Sequence, residues 1–232
     1  MYLSRVRYRE NGTARKQLQH VLRNGSYASH QLLWQLFGEH DERNFLFREE
    51  QSRGFESLKG TPEYMVLSAC KPASCSDILQ VETKPFQPHL HEGQRLAFRL
   101  RANPTVDIAN PERTRRSKRH DVMMHTKKQL AAEGQTDPII VKSAMDQAAI
   151  DWLCNTRRTE NLGIRFDVAP TVLASVQQKT IQKKNDRMIS FTAVDYEGIL
   201  TVVEPEKLIN SLHKGIGRSK AFGCGMMLIR RV

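Results

Sequence analysis

One pattern constrains this chain more than any other. The order strand, helix, strand, strand, helix, strand is written into it twice. Tyr2 to Tyr8 alternates apolar and polar side chains with the period of a half-buried strand. After the turn residues Glu10-Asn11-Gly12, a helical pattern runs from about Ala14 to Leu22. Asn24-Gly25-Ser26 interrupts it, and Ser26 is placed to cap a second helical run through Phe37. Phe45 to Glu50 and Tyr64 to Ala69 read as strands, with Gly54 and Gly60 between them. Ala73 to Leu79 fits a short helix and Val81 to Phe86 a fourth strand. This is the ferredoxin-like order. Pro85, Pro88 and Gly93 then punctuate a linker. Beyond it the order repeats. Arg95 to Arg101 alternates as a strand, and Ser143 to Cys154 carries Ala144, Ala148, Ile150 and Leu153 at helical spacing. Ile164 to Gln177 and Ile189 to Val203 hold the β-branched residues that suit strands. Pro205 opens a helix through His213, and Met226 to Ile229 supplies the last strand. The expected fold is α+β: two tandem ferredoxin-like (βαββαβ) domains, residues 1–90 and 91–232.

Charge narrows the partners. The chain has 36 Lys+Arg against 25 Asp+Glu, a formal charge of +11 over 232 residues, which favours a polyanion. Nucleic acid ranks ahead of an anionic membrane. No stretch approaches the ~18–20 uncharged apolar residues of a membrane span, and Met1 to Arg9 has no apolar signal block. The expected location is the cytoplasm. Cys70, Cys75, Cys154 and Cys224 form no CxxC pair and no zinc spacing, so reduced, mostly buried thiols are expected.

Three groups of residues could carry chemistry. The most specific is Gly215-Ile216-Gly217-Arg218-Ser219-Lys220-Ala221-Phe222-Gly223-Cys224-Gly225, two Gly-apolar-Gly pairs flanked by Lys214. Successive N–H groups in such a loop can cradle an anion, with Lys214, Arg218 and Lys220 adding charge. A tight packing turn between helix and strand is the equally open structural reading. The order GxxxxGK[ST] of a P-loop is absent. The second group is Tyr27 with His30, three apart on one helical face. Histidine exchanges a proton near neutral pH, and a protonated phenol donates a hydrogen bond. That pair suits RNA cleavage, in which the 2′-hydroxyl attacks the adjacent phosphate. The bland reading is that both flank a packing helix carrying Leu33, Trp34, Leu36 and Phe37. The third group is basic. Lys179, Lys183, Lys184 and Arg187 surround Asn185-Asp186 between two expected strands, either a hairpin presenting cations to phosphates or a solvated turn. Arg113, Arg115, Arg116, Lys118 and Arg119 belong to a segment, Asn110 to Lys128, expected to be a mobile basic loop. No metal constellation stands out, and no cofactor is expected.

Met1-Tyr2-Leu3-Ser4, Tyr27-x-x-His30 with Leu33-Trp34-x-Leu36-Phe37, Phe45-Leu46-Phe47, Phe98-Arg99-Leu100-Arg101-Ala102-Asn103-Pro104 and the glycine segment together resemble the type I-E CRISPR-associated endoribonuclease (CasE-like) family. The segment matches the GhGxxxxxGhG signature of the wider repeat-associated RNA-binding superfamily, and the likeness runs nearly the whole length. The resemblance implies tandem ferredoxin-like domains and a metal-independent cut in the repeat hairpin of precursor CRISPR RNA, leaving a cyclic phosphate. It further implies retention of the product and entry into the Cascade complex with its other subunits. His30 and Tyr27 fall on the family's catalytic positions, and the 177–188 hairpin on an RNA-contacting one. A non-catalytic RNA-binding subunit of the same fold is the alternative. A basic DNA-binding regulator lacks a helix-turn-helix signal.

Overall fold

β1 (Tyr2–Tyr8) buries Ser4 and Val6 and lies between two antiparallel partners, β3 (Pro62–Ser68) and β4 (Leu79–Pro85). In the register, Val6 faces Tyr64 on one side and Val81 on the other. β2 (Phe45–Gln51) adds to β3, and the sheet order β2-β3-β1-β4 is ferredoxin-like. This computed structural model describes the backbone of residues 1–38, 44–51, 61–73, 76–108, 118–182 and 187–232, and the side chains of these except 51, 118, 177–182 and 187–189. The chain divides into two compact units. One holds Met1–His89, His213–Gly215 and Ser219–Met226; the other holds Leu90–Leu212, Ile216–Arg218 and Met227–Val232.

In the first unit, α1 (Gly12–Asn24) starts where the Asn11 side chain accepts from the Ala14 N–H at 2.8 Å. α2 (Ser26–Trp34) follows after a single residue. Gly25, at φ +69°, closes α1 through its N–H to the Val21 carbonyl and is itself the N-cap of α2. Ser26 is therefore the first helical residue and not the expected cap; one glycine serves both helix ends. A 3₁₀ turn, Gln35–Phe37, completes the run. Val21, Ala28, Leu32, Leu33, Leu36 and Phe37 then pack on Val6, Phe45, Phe47, Tyr64, Val66 and Leu79 of the sheet. Each of the Val, Leu and Phe side chains contributes ~1.5–3 kcal/mol on burial. The short helix expected over 73–79 is absent from the described residues of that stretch. Ser76 Oγ accepts from the N–H groups of Ile78 and Leu79, a local bond that competes with a helix, and the chain passes straight into β4.

A chain of hydroxyls crosses this core. Tyr64 donates to Ser29 at 3.1 Å, Ser29 to Glu49 at 3.3 Å, and the Tyr8 and Tyr64 hydroxyls lie 3.3 Å apart. Burial pushes the Tyr8 phenol up to about 12, and burial drives Tyr64 further the same way. Both must stay protonated in the folded protein, whereas unfolded tyrosine ionises near pH 10. Their contribution is complete below about pH 10 and is lost as the pH rises towards about 12, because only the unfolded chain releases these protons. Urea midpoints measured across that window should fall steadily. Tyr8→Phe should flatten the fall, and an unchanged slope would mean that Tyr8 does not couple to folding.

The second unit has the sheet order β11-β5-β10-β8, with β9 also on β10. The strands are β5 (Arg95–Ala102), β8 (Ile164–Arg165), β9 (Thr171–Gln182), β10 (Arg187–Val202) and β11 (Met227–Arg231). This is the ferredoxin-like order again, with the second strand split. The strand expected over 164–177 breaks because Asp167 accepts from Arg165 and Thr201, and Pro170 lies against Gly198. β6 (Thr105–Ile108) and β7 (Lys118–Asp121) form a separate ribbon. α3 (Val122–Ala132), α4 (Pro138–Cys154), α5 (Thr156–Leu162) and α6 (Pro205–Lys214) complete the elements. From Lys118 onward the expected mobile basic loop is instead β7 and α3. Asp121 decides this: one carboxylate oxygen caps α3 at Met124 N and the other accepts from Thr192 N in β10. The Tyr196 hydroxyl donates to Ala149 O and Trp152 Nε1 to Thr105 O, both at 3.0 Å, which ties α4 down. The guanidinium of Arg158 lies 3.7 Å from the centre of the Trp152 ring. Cys224 is buried, but Cys70 and Cys154 are only half-buried, fewer fully buried thiols than expected, and all three are unbridged. Cys75 lies outside the described residues. No helix among the described residues is long and apolar enough to cross a membrane.

Candidate active site

α2 brings Tyr27 and His30 to one face because three residues make nearly one helical turn. Their rings are 6.3 Å apart and within 25° of parallel. Among the described residues three further aromatic rings stand around His30. Phe45 stacks on it at 5.4 Å and 27°, Trp34 meets it edge-on at 5.4 Å, and Phe47 lies 6.1 Å away. Phe45 and Phe47 sit on β2 and are buried; His30 itself is half-buried. An imidazole walled by rings has few rotamers open to it, which holds its nitrogens in a set direction.

Tyr27 also touches the glycine segment. Its ring is 6.0 Å from Phe222, in the 3₁₀ turn Lys220–Phe222. Two glycines show why the segment needs them. Gly215 has φ +76°, and an alanine β-carbon there would sit 2.8 Å from a Leu46 methyl. Gly223 has φ +77°, and its β-carbon would lie 3.3 Å from the Phe47 ring. Both positions are left-handed and crowded, so packing accounts for these glycines, and alanine strains the backbone by about 1 kcal/mol or more. The Ser219 carbonyl accepts from Phe222 N and Cys224 N, closing the turn. Gly217, beside Trp152, and Gly225 also have positive φ.

The cations divide among several places. Lys220 Nζ donates to the Lys214 carbonyl at 2.6 Å, so this ammonium braces the segment. Lys214 and Arg218 are exposed. Arg119 pairs with Asp107 at 3.1 Å on the ribbon, each side chain about half-exposed, a contact of small energetic weight. Arg113, Arg115 and Arg116 lie outside the described residues, as do Lys183 and Lys184. Lys118 is in β7, Lys179 in β9 and Arg187 in β10, with side chains outside the description. The segment joining Gln182 to Arg187, which pair in register, is where the expected basic hairpin falls. The structure thus brings Tyr27 and His30 together with residues 219–226 in one unit, while 177–189 belongs to the other. No group of three His, Cys, Asp or Glu able to hold a metal ion occurs among the described residues.

A family model described as CRISPR associated protein matches residues 1–231. The chain belongs to this family. Among CRISPR-associated proteins it is 29% identical over 204 residues to the CRISPR-associated endoribonuclease Cse3 of Thermus thermophilus, covering 82% of each chain. It is 29% identical over 206 residues to the CRISPR system Cascade subunit CasE of Escherichia coli (strain K12), covering 87% of this chain and 89% of that one. The structure of Thermus thermophilus Cse3 bound to an RNA representing a pre-cleavage complex superimposes with a TM-score of 0.67 at 26% identity, over 99% of this chain and 98% of that one. Sequence reading overlooked Phe222 and the Phe45–Phe47 wall as parts of this site. The Phe-Leu-Phe of β2 signalled a strand and a family resemblance but no place beside His30, and nothing local to Phe222 says which helix it meets.

Proposed function

We propose that this CRISPR-associated protein is an endoribonuclease that cuts precursor CRISPR RNA at repeat hairpins and keeps the product for a Cascade complex in the cytoplasm. One observation supports the reading most directly: Tyr27 stands between His30 and Phe222, so the proton-transfer pair adjoins the glycine segment. The 2′-oxygen bonds to phosphorus while the bond from phosphorus to the 5′-oxygen breaks. The products are a 2′,3′-cyclic phosphate and a 5′-hydroxyl. One proton leaves the 2′-hydroxyl and one reaches the departing 5′-oxygen; His30 transfers a proton at this centre, and Tyr27 donates a hydrogen bond to a phosphate oxygen. General acid or base assistance of this kind is worth roughly 10²–10⁴-fold. The nucleophile belongs to the RNA, so the reaction needs no metal. Lys179, Lys183, Lys184 and Arg187 hold phosphates of the hairpin, with Arg113, Arg115, Arg116, Lys118 and Arg119 in support. Lys214 and Arg218 extend the cationic surface.

Hairpin RNA of the repeat, incubated with the protein in EDTA, tests the reading. Cleavage to a cyclic phosphate is expected, and a 2′-deoxy substitution at the cut should abolish it. Tight binding without a cut would make the protein an RNA-binding subunit only. Cleavage of the 2′-deoxy substrate would rule out the internal nucleophile.

A further inference from the structure

The second sheet has a face that the site does not use. Along β5, Leu96, Phe98, Leu100 and Ala102 are buried, so Arg95, Ala97, Arg99 and Arg101 alternate onto the opposite face. Register extends this face across three strands. Arg230 of β11, Ala97 of β5 and Ile199 of β10 form one row; Leu228, Arg99 and Glu197 form the next. A groove of about 820 Å³ follows these rows. Its cause is the central residue. Ala97 has one methyl where every neighbour in the two rows has a long side chain, so the floor drops between Ile199 and Arg230. Ile199 is 36% exposed, a large aliphatic surface left to water at the edge of the slot.

The chemistry selects an occupant. An aliphatic floor takes an aliphatic side chain. The rim is cationic on the β11 side, where Arg230 is exposed and forms no ion pair among the described residues. Among the described residues Arg99 is held by one ion pair, a 3.4 Å contact to Glu197 with both side chains about half-exposed, so it is available to a competing carboxylate. RNA fits poorly. Sheets that bind single strands stack bases on aromatic side chains, and no aromatic residue alternates onto this face of β5, between Asp195 and Thr201 of β10, or at Leu228 and Arg230. Asp195 and Glu197 also place carboxylates there, repelling phosphate.

We propose that this slot is a docking surface for another protein subunit of the Cascade assembly, which inserts an aliphatic side chain over Ala97 and sets flanking carboxylates against Arg230 and Arg99. The proposal rests on the reading that this protein enters such an assembly.

The slot lies on an open face, so it can be filled without repacking a core. Ala97→Trp and Ala97→Leu occupy it, and Arg230→Glu reverses its rim. The test co-expresses wild type or each variant with the other Cascade subunits and the CRISPR RNA of the same system. Native mass spectrometry reads incorporation, and the free proteins are assayed for melting temperature, hairpin cleavage and hairpin affinity. The expected result is that the variants melt and cut like wild type yet incorporate about tenfold less or worse, the loss typical of excluding one anchor side chain. Wild-type incorporation by all three variants overturns the proposal. Loss of hairpin affinity in Arg230→Glu, with a shallower salt dependence, overturns it in favour of an RNA surface. Failure of wild type itself to incorporate, while still cutting RNA, refutes assembly and the docking surface together and leaves the nuclease reading standing.

Discussion

Replacing His30 by alanine is expected to slow single-turnover cleavage of hairpin RNA by about 10²–10⁴-fold while hairpin affinity stays within a few-fold. The split follows from where each quantity comes from. In the proposed mechanism proton transfer depends on one imidazole, held by Trp34 and Phe45 at 5.4 Å and Phe47 at 6.1 Å. The same proposal spreads affinity over many cations, each phosphate contact adding its own share of counterion release. His30 is half-buried, and the rings around it pack on one another, Trp34–Phe45 at 5.9 Å and Phe45–Phe47 at 6.4 Å, so the fold survives the loss. Near-normal cleavage by the variant would remove His30 from the chemistry. A comparable loss of affinity would instead recast it as an RNA contact.

Phe47→Ala is the structural counterpart, and it should cost about 3–5 kcal/mol, the usual range for deleting a buried aromatic ring. Phe47 is completely buried and meets three things at once. Its ring lies 6.3 Å from Tyr64, 6.1 Å from His30, and against the space that a side chain at Gly223 would fill. Its removal opens a void beneath both the imidazole and the glycine segment. Urea denaturation should show the midpoint dropping with little change in slope. Cleavage should fall even at temperatures where the variant is folded, because His30 loses one of its walls. Phe47→Leu should recover most of the stability and less of the rate. A variant that keeps both would mean that this ring neither supports the core nor orients the site.

Much of the architecture is legible from local pattern. The strands at Tyr2–Tyr8 and Arg95–Ala102 announce themselves because one face is wet and the other dry, and α6 announces itself by Pro205 in its first turn. Two of the failures share a cause: a partner distant in sequence. Asp121 turns the end of an expected loop into a capped helix by bonding Thr192 in β10. Gly198, bare of a side chain, admits Pro170 and breaks the strand expected from Ile164. Gly25 takes the capping role assigned to Ser26 because two helices share one residue of turn, a fact of backbone geometry that composition does not carry.

By itself, then, the sequence determined the succession of strands in both ferredoxin-like halves, the cationic balance, and the pairing of Tyr27 with His30, since all three depend on periodicities of two and 3.6 residues or on counting charges; the helix it suggested over 73–79 did not form among the described residues. Only the tertiary structure decided what surrounds them. Phe222 reaches Tyr27 across nearly two hundred residues of chain, Phe45 and Phe47 wall in His30 from another element, and Ala97 becomes the floor of a groove because Arg230 and Ile199 flank it in register. The physical reason is the same in each case. Backbone periodicity says which face a residue takes, whereas packing between elements, set by long-range register and by which side chains fit together, says what that face meets.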